Sequence, residues 1–190
     1  MINLKDKSPK ILVIGDLMID HYLWGSCERV SPEAPVQIIK VDNENSILGG
    51  AGNVIKNLKS LGADVGVIGA VGDCNIASEL IELLHNIDID TKYLFTQKNL
   101  TTTKKTRIVA SQQQVVRYDQ ESNEVINKKT EQLILDTFNK VVSNYDCILL
   151  SDYGKGVLTS NLTKSIIQLA NKSGRKVLID PKGHDYSKYK

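Results

Sequence analysis

The apolar and polar positions divide the chain into a regular framework and two stretches that interrupt it. Continuous apolar runs at residues 11–14, 65–69, 147–150 and 177–179 read as strands covered on both faces, the pattern of a parallel sheet. Between them lie amphipathic patterns. Val54, Ile55, Leu58 and Leu61 predict a helix over 53–61 that Gly62 closes, and a second helix runs from Ile76 to His85, with Asn86 at its end. Leu133, Ile134, Phe138, Val141 and Val142 mark a third, and a fourth over 162–170 ends at Gly174. Strands alternating with helices predict an α/β fold, a mostly parallel central sheet flanked by helices.

The interruptions have a different texture. In residues 25–48, Pro32 and Pro35 bracket a turn, and Val36, Ile38 and Val41 are separated by polar residues, which predicts a strand open on one face. Residues 93–109 and 114–118 alternate again around a turn at 110–113 and predict a hairpin with a largely polar face. Together, about 25–48 and 100–118 make a small β lid over the sheet. Such a small sheet is marginal unless covered, so its strands also suit a homodimer contact.

Length and composition narrow the class. At 190 residues the chain suits one sizeable core and is read as a single domain. A net charge of +2 points to no nucleic-acid partner, and the early apolar run is too short for a membrane span or signal core, so a cytoplasmic protein is expected. Cys27, Cys74 and Cys147 are widely spaced and unpaired in sequence, and His21, His85 and His184 have no neighbouring ligand at metal spacing, so neither disulfides nor a metal site are expected.

Candidate chemistry gathers after the strands. Gly49, Gly50, Ala51, Gly52 and Asn53 form a bare loop running into a helix, where a polar or anionic ligand can reach main-chain N–H groups. Asp16 and Asp20 follow the first strand at a spacing that shares one face if the turn is helical. Asp152 and Lys155 follow the third, and Asp180 and Lys182 the fourth. Ligands of open parallel sheets bind at the carboxyl ends of strands. Acids that accept from hydroxyls, beside lysines and backbone donors that hold phosphate, point to a phosphorylated sugar. Neither GxxxxGK[ST] nor an early GxGxxG is present, and no serine sits in a nucleophile elbow.

The order of Gly15-Asp16 with Asp20, then GGAGN at 49–53, Gly72-Asp73, and a late strand ending in Asp180 resembles the ribokinase-like, or PfkB, carbohydrate kinases. RVSPEAPV at 29–36, SDYGKGVLT at 151–159 and IDPKG at 179–183 resemble, within that family, the kinases acting on D-glycero-β-D-manno-heptose 7-phosphate. The resemblance covers residues 11–190 and implies ATP-dependent phosphorylation of the anomeric hydroxyl, with Mg2+, in ADP-heptose synthesis for lipopolysaccharide core. It implies that Asp16 and Asp20 bind sugar hydroxyls, that Gly49, Gly50 and Asn53 line the pocket, and that Arg107 faces the substrate. Asp152 belongs to the same substrate site. Lys155 and Lys182 supply positive charge for the substrate phosphate or the transferring group.

Two small departures are Gly52 and Gly154, where the family commonly has alanine. A larger one is that no GAGD segment, which carries the family's catalytic aspartate, occurs here, so no catalytic residue is assigned. The expectation is therefore an N-terminal part of one sugar-kinase domain, inactive alone, with most of the ATP site and the C-terminal part of the fold outside it. Two other readings stay open: another sugar kinase of the fructokinase or ribokinase type, and a non-catalytic sugar-phosphate binding or dimerisation module.

Overall fold

The computed structural model describes residues 8–122, 124–183 and 186–190. His184 and residues 1–7 lie outside the described residues. The chain order is β1 (Lys10–Gly15), β2 (Leu17–Val30), β3 (Gln37–Gly50), α1 (Ala51–Ser60), β4 (Asp64–Gly72), α2 (Asn75–His85), β5 (Leu94–Gln97), β6 (Thr103–Ala110) and β7 (Gln113–Gln120). It continues through α3 (Lys128–Val141), β8 (Cys147–Ser151), α4 (Ser160–Lys172) and β9 (Lys176–Asp180).

One sheet has five strands in the order β5-β4-β1-β8-β9, and every pair in it is parallel. Alternation along β1 explains its two-sided core. Leu12 and Ile14 pack with Phe138, Ile148, Leu150, Leu162 and Ile166 beneath α3 and α4, whereas Val13 packs with Ile55, Val67, Leu80 and Leu84 beneath α1 and α2. Helices therefore cover both faces of β1 and β4, whereas β9 at the sheet edge is not doubly buried as expected, since Leu178 is 57% exposed. The starts of α3 and α4 are fixed locally, since the Asn127 side chain accepts from the Thr130 N–H and the Thr159 hydroxyl accepts from the Leu162 N–H.

The lid is larger than the sequence pattern indicated. Its four strands run β3-β2-β6-β7, with β2 and β3 forming a long antiparallel ribbon and β6 lying parallel to β2. The turn at the ribbon tip holds Pro32 and Pro35, and the Ser31 N–H donates to the Val36 carbonyl at 2.8 Å. The β6–β7 turn is made by Ser111 and Gln112 at φ 50 and 67, left-handed angles that suit the twist of a tight hairpin.

Two expectations change. No helical turn joins Asp16 to Asp20: the chain runs extended, and Asp20 sits within β2. Polar residues at 20, 21, 26, 28 and 29 hid this strand, which uses both faces. Residues 94–97 do not belong to the hairpin expected over 93–109 but form β5, an edge strand of the parallel sheet beside β4.

Candidate functional site

The carboxyl ends of β1, β8 and β9 lie side by side. Past them, the Asp16 N–H donates to the Ser151 carbonyl at 3.1 Å, and the Asp152 N–H donates to the Asp180 carbonyl at 2.9 Å. Asp16, Asp152 and Asp180 thus stand in a row along one rim of the sheet, as the sequence argument requires.

Their carboxylates do different things. Asp16 is buried, 1% exposed, and accepts from backbone: Oδ2 takes the N–H groups of Tyr153 (2.8 Å) and Lys155 (3.0 Å), and Oδ1 takes that of Val157 (3.0 Å). It therefore shapes the 153–157 loop. Burial, aided by the nearby Asp152 charge, holds its pKa above the ordinary value despite these donors. Asp152 accepts from the Gly154 N–H at 2.8 Å and from the Tyr189 hydroxyl at 2.8 Å, and is paired with Lys188. Its side chain is 1% exposed and turned into the protein.

Asp20 and Arg107 meet at the root of the lid. The Arg107 Nη1 donates to Asp20 Oδ1 at 2.6 Å, both side chains are about one-fifth exposed, and the guanidinium lies 5.3 Å from the Tyr22 ring centre. Tyr22 in turn stacks on Trp24 at 5.7 Å. Gly49 lets Asp20 sit there, because a Cβ on it would fall 2.5 Å from Asp20 Oδ2. Gly50 turns the chain into α1 at φ 52, and the Ala51 N–H donates back to the Asp16 carbonyl at 3.0 Å. Asn53 is exposed in the first turn of α1.

Positive groups close the other side. Lys155 pairs with Glu121 at 2.6 Å, and Arg117 holds Asp119 through two bonds of 2.8 and 2.7 Å. That double bond comes first among the causes lowering the Asp119 pKa, and the charges of Lys105 and Lys155 add to it. Lys182 is exposed beside the same loop, its Cγ 3.6 Å from where a Cβ on Gly154 would lie. Burial raises the Tyr153 phenol, and the charges of Asp180 and Asp20 act in the same direction.

The structure thus sets Asp20, Gly49, Gly50 and Arg107 at the lid root and Lys155 and Lys182 on the strand-end loops, while two carboxylates are withdrawn: Asp152 toward Lys188 and Tyr189, and Asp16, expected to bind a sugar hydroxyl, onto the backbone N–H groups that occupy both its oxygens. Lys105, Arg117, Asp119, Glu121 and Tyr153 were missed. A hairpin counted from Ser111 and Gln112 would set Lys105 opposite Tyr118, but a bulge between Ile108 and Val109 shifts the register by one and sets Lys105 opposite Asp119 and Arg107 opposite Arg117, so three of them depend on a bulge that the pattern does not show. The cleft's acids are poor metal ligands. Asp20, Asp119 and Glu121 are each spent on a cation, and among the described residues no group of three or more His, Cys, Asp or Glu could hold a metal ion. These residues do not fit a Mg2+ site, and no step is derived through one. A separate hollow of about 230 Å³, lined by Lys10, Asp64, Tyr93 and Tyr145 among others, lies at the opposite edge of the sheet.

The parallel sheet with its β lid is a ribokinase-like α/β fold. It superposes on Arabidopsis thaliana ribokinase complexed with ribose and ATP with a TM-score of 0.63 at 16% identity, covering 94% of this chain and 55% of that one. Against the tetrameric inhibited form of Escherichia coli phosphofructokinase-2 the TM-score is 0.68 at 15% identity, covering 96% and 58%.

Residues 8–190 match the pfkB family of carbohydrate kinases, and the chain belongs to that family. It is 59% identical to the bifunctional protein HldE of Aliarcobacter butzleri over 184 residues, 97% of this chain and 39% of that protein. It is 51% identical to HldE of Helicobacter hepaticus over 189 residues, again 39% of the relative. The chain therefore spans about two-fifths of these relatives' length. Among the described residues, no helix is long and apolar enough to cross a membrane.

Proposed function

We propose that this chain forms the sugar-holding part of a kinase that transfers the γ-phosphoryl group of ATP to the anomeric hydroxyl of D-glycero-β-D-manno-heptose 7-phosphate. The sugar oxygen forms a bond to phosphorus, the bond from phosphorus to the β,γ-bridging oxygen breaks, ADP leaves, and the hydroxyl proton passes to a base. The products are the 1,7-bisphosphate and ADP, a step toward ADP-heptose and lipopolysaccharide core.

The observation that carries this reading is the mixed cleft at the strand ends. There a carboxylate pinned by an arginine lies against a bare glycine backbone at the lid root, and lysines stand on the loops that follow the strands. Asp20 and Arg107 take sugar hydroxyls, while Gly49, Gly50 and Asn53 form the wall. Asp16 and Asp152 hold the 152–157 loop that presents Lys155. Lys155 and Lys182 neutralise phosphate charge. ATP and Mg2+ are held mostly by residues outside this stretch of the kinase domain. The enzyme works in the cytoplasm as a homodimer through its lid strands, a reading supported by exposed Val36, Val41, Val115 and Val116.

The test is a substrate panel with the intact enzyme and its Asp20→Ala variant. Turnover of heptose 7-phosphate above free ribose and fructose is expected, with a higher sugar KM or no turnover in the variant. Preference for a free sugar would remove the heptose assignment. Unchanged kinetics in Asp20→Ala would remove Asp20 from the site.

A further inference from the structure

A second polar cluster lies on the back of the lid root. Strand alternation turns His21, Ser46 and Lys104 to the face opposite Asp20, Lys105 and Arg107. On that back face they converge on one carboxylate of the body, Glu79 in α2. The Ser46 Oγ–H donates to Glu79 Oε1 at 2.5 Å, and Lys104 Nζ donates to Oε1 at 3.1 Å and Oε2 at 2.8 Å. Lys104 is 16% exposed and Glu79 32%, so this pair is shielded more than an ordinary surface ion pair.

The proton count fixes the rest of the network. Burial works to raise the Glu79 pKa, but the hydrogen bonds from Lys104 and Ser46 outweigh it and leave the carboxylate more acidic than usual, hence ionised near neutral pH. A serine hydroxyl has one hydrogen, and here Glu79 receives it. Ser46 Oγ must then accept from His21 Nδ1, 2.8 Å away, so the neutral imidazole carries its proton on Nδ1. His21 Nε2 faces Glu44 at 3.6 Å. Through these bonds a single body carboxylate is tied to β2, β3 and β6, the strands that carry Asp20, Gly49 and Arg107.

We propose that Glu79 is a positioning residue for the sugar site: it clamps three lid strands from behind and so sets where Asp20 and Arg107 stand over the strand ends. Glu79 touches no substrate. Its effect falls on the lid side of the cleft and spares the nucleotide. The inference rests on the reading that this cleft holds a sugar, whichever sugar that is.

The experiment uses the intact kinase, its Glu79→Gln, Lys104→Met and double variants, and Glu82→Gln as an exposed control on the same helix. KM for the sugar and for ATP are measured separately with the sugar that the wild type turns over best in the panel. Expected is a sugar KM raised about tenfold in each single variant, since small displacements of positioning groups are costly. The ATP KM should stay within about twofold, the double variant should be no worse than the worse single, and the control should match wild type. A purely structural role would move both KM values together or neither, and either result overturns the proposal. Should Glu79→Gln fail to fold, Ser46→Ala cuts the β3 tie alone and is expected to raise the sugar KM less, with no rise counting against the clamp. A wild type that prefers ribose or fructose defeats the heptose assignment but leaves the clamp tested on that sugar. One that phosphorylates no sugar overturns both.

Discussion

Replacing Asp16 by alanine strips the acceptor from the N–H groups of Tyr153, Lys155 and Val157 at once. The magnitude depends on which of them water can reach. Val157 is 3% exposed, so its N–H is left without a partner, at roughly 1–3 kcal/mol. Tyr153 and Lys155 are only half-buried, and water recovers part of theirs. Against this, the ionised carboxylate already carries a burial penalty, shown by its raised pKa, which the variant removes. The expected net loss is about 2–4 kcal/mol, which for a domain of this size lowers Tm by roughly 5–15 °C. Asp16→Asn retains the volume but sets an NH2 donor against at least one N–H, so it should lose about half as much. Urea unfolding followed through Trp24, the lone tryptophan of the chain, reads both variants. If Asp16→Ala unfolds within about 0.5 kcal/mol of wild type, the loop is not held by this carboxylate and the account of Asp16 fails.

Gly49→Ala places a methyl group 2.5 Å from Asp20 Oδ2 and 3.0 Å from Met18 Cγ, so Asp20 must leave Arg107. The intact enzyme should lose sugar affinity by about tenfold or more while unfolding only about 1–2 kcal/mol more easily, and an unaltered sugar KM would contradict the close packing described. His21 gives a pH test. Burial, followed by the Lys104 charge, lowers its folded pKa below the ordinary 6.5, while Glu44 and Glu79 pull it back up. The unfolded chain therefore takes up the proton first. Above pH 6.5 the residue is neutral in both states, and below it stability falls as pH drops toward the folded pKa. Wild type minus His21→Asn should show that slope in urea titrations between about pH 6.5 and 5, and a flat difference would refute it.

Much of the framework was legible because its physics is local. Doubly buried strands need unbroken apolar runs such as Leu12–Val13–Ile14, and covering helices need one apolar stripe, as Ile134, Phe138 and Val141 supply. Asp16 and the glycine loop were visible because one follows a strand end and the other opens a helix, whereas Asp20, which the sequence pattern places after a strand, lies inside β2. β2 itself was not visible, since its two faces serve different masters: Asp20 and Tyr22 look into the cleft, while His21 looks back at Ser46. The role of Asp16 was also out of reach, as its donors stand 137, 139 and 141 residues away along the chain. Pairs such as Lys155 with Glu121 arise only once β7 is laid beside β6, and a single sequence carries no sign of them.

The β2–β3 ribbon, at about 3.3 Å per residue, extends roughly 45 Å from the lid root, where Leu17 pairs with Gly50, to the proline tip beyond the Val30–Gln37 pair. The Ala51 N–H bond to the Asp16 carbonyl ties the end of this ribbon and the opening of α1 to the carboxyl end of β1, so the lid and the sheet share one fastening.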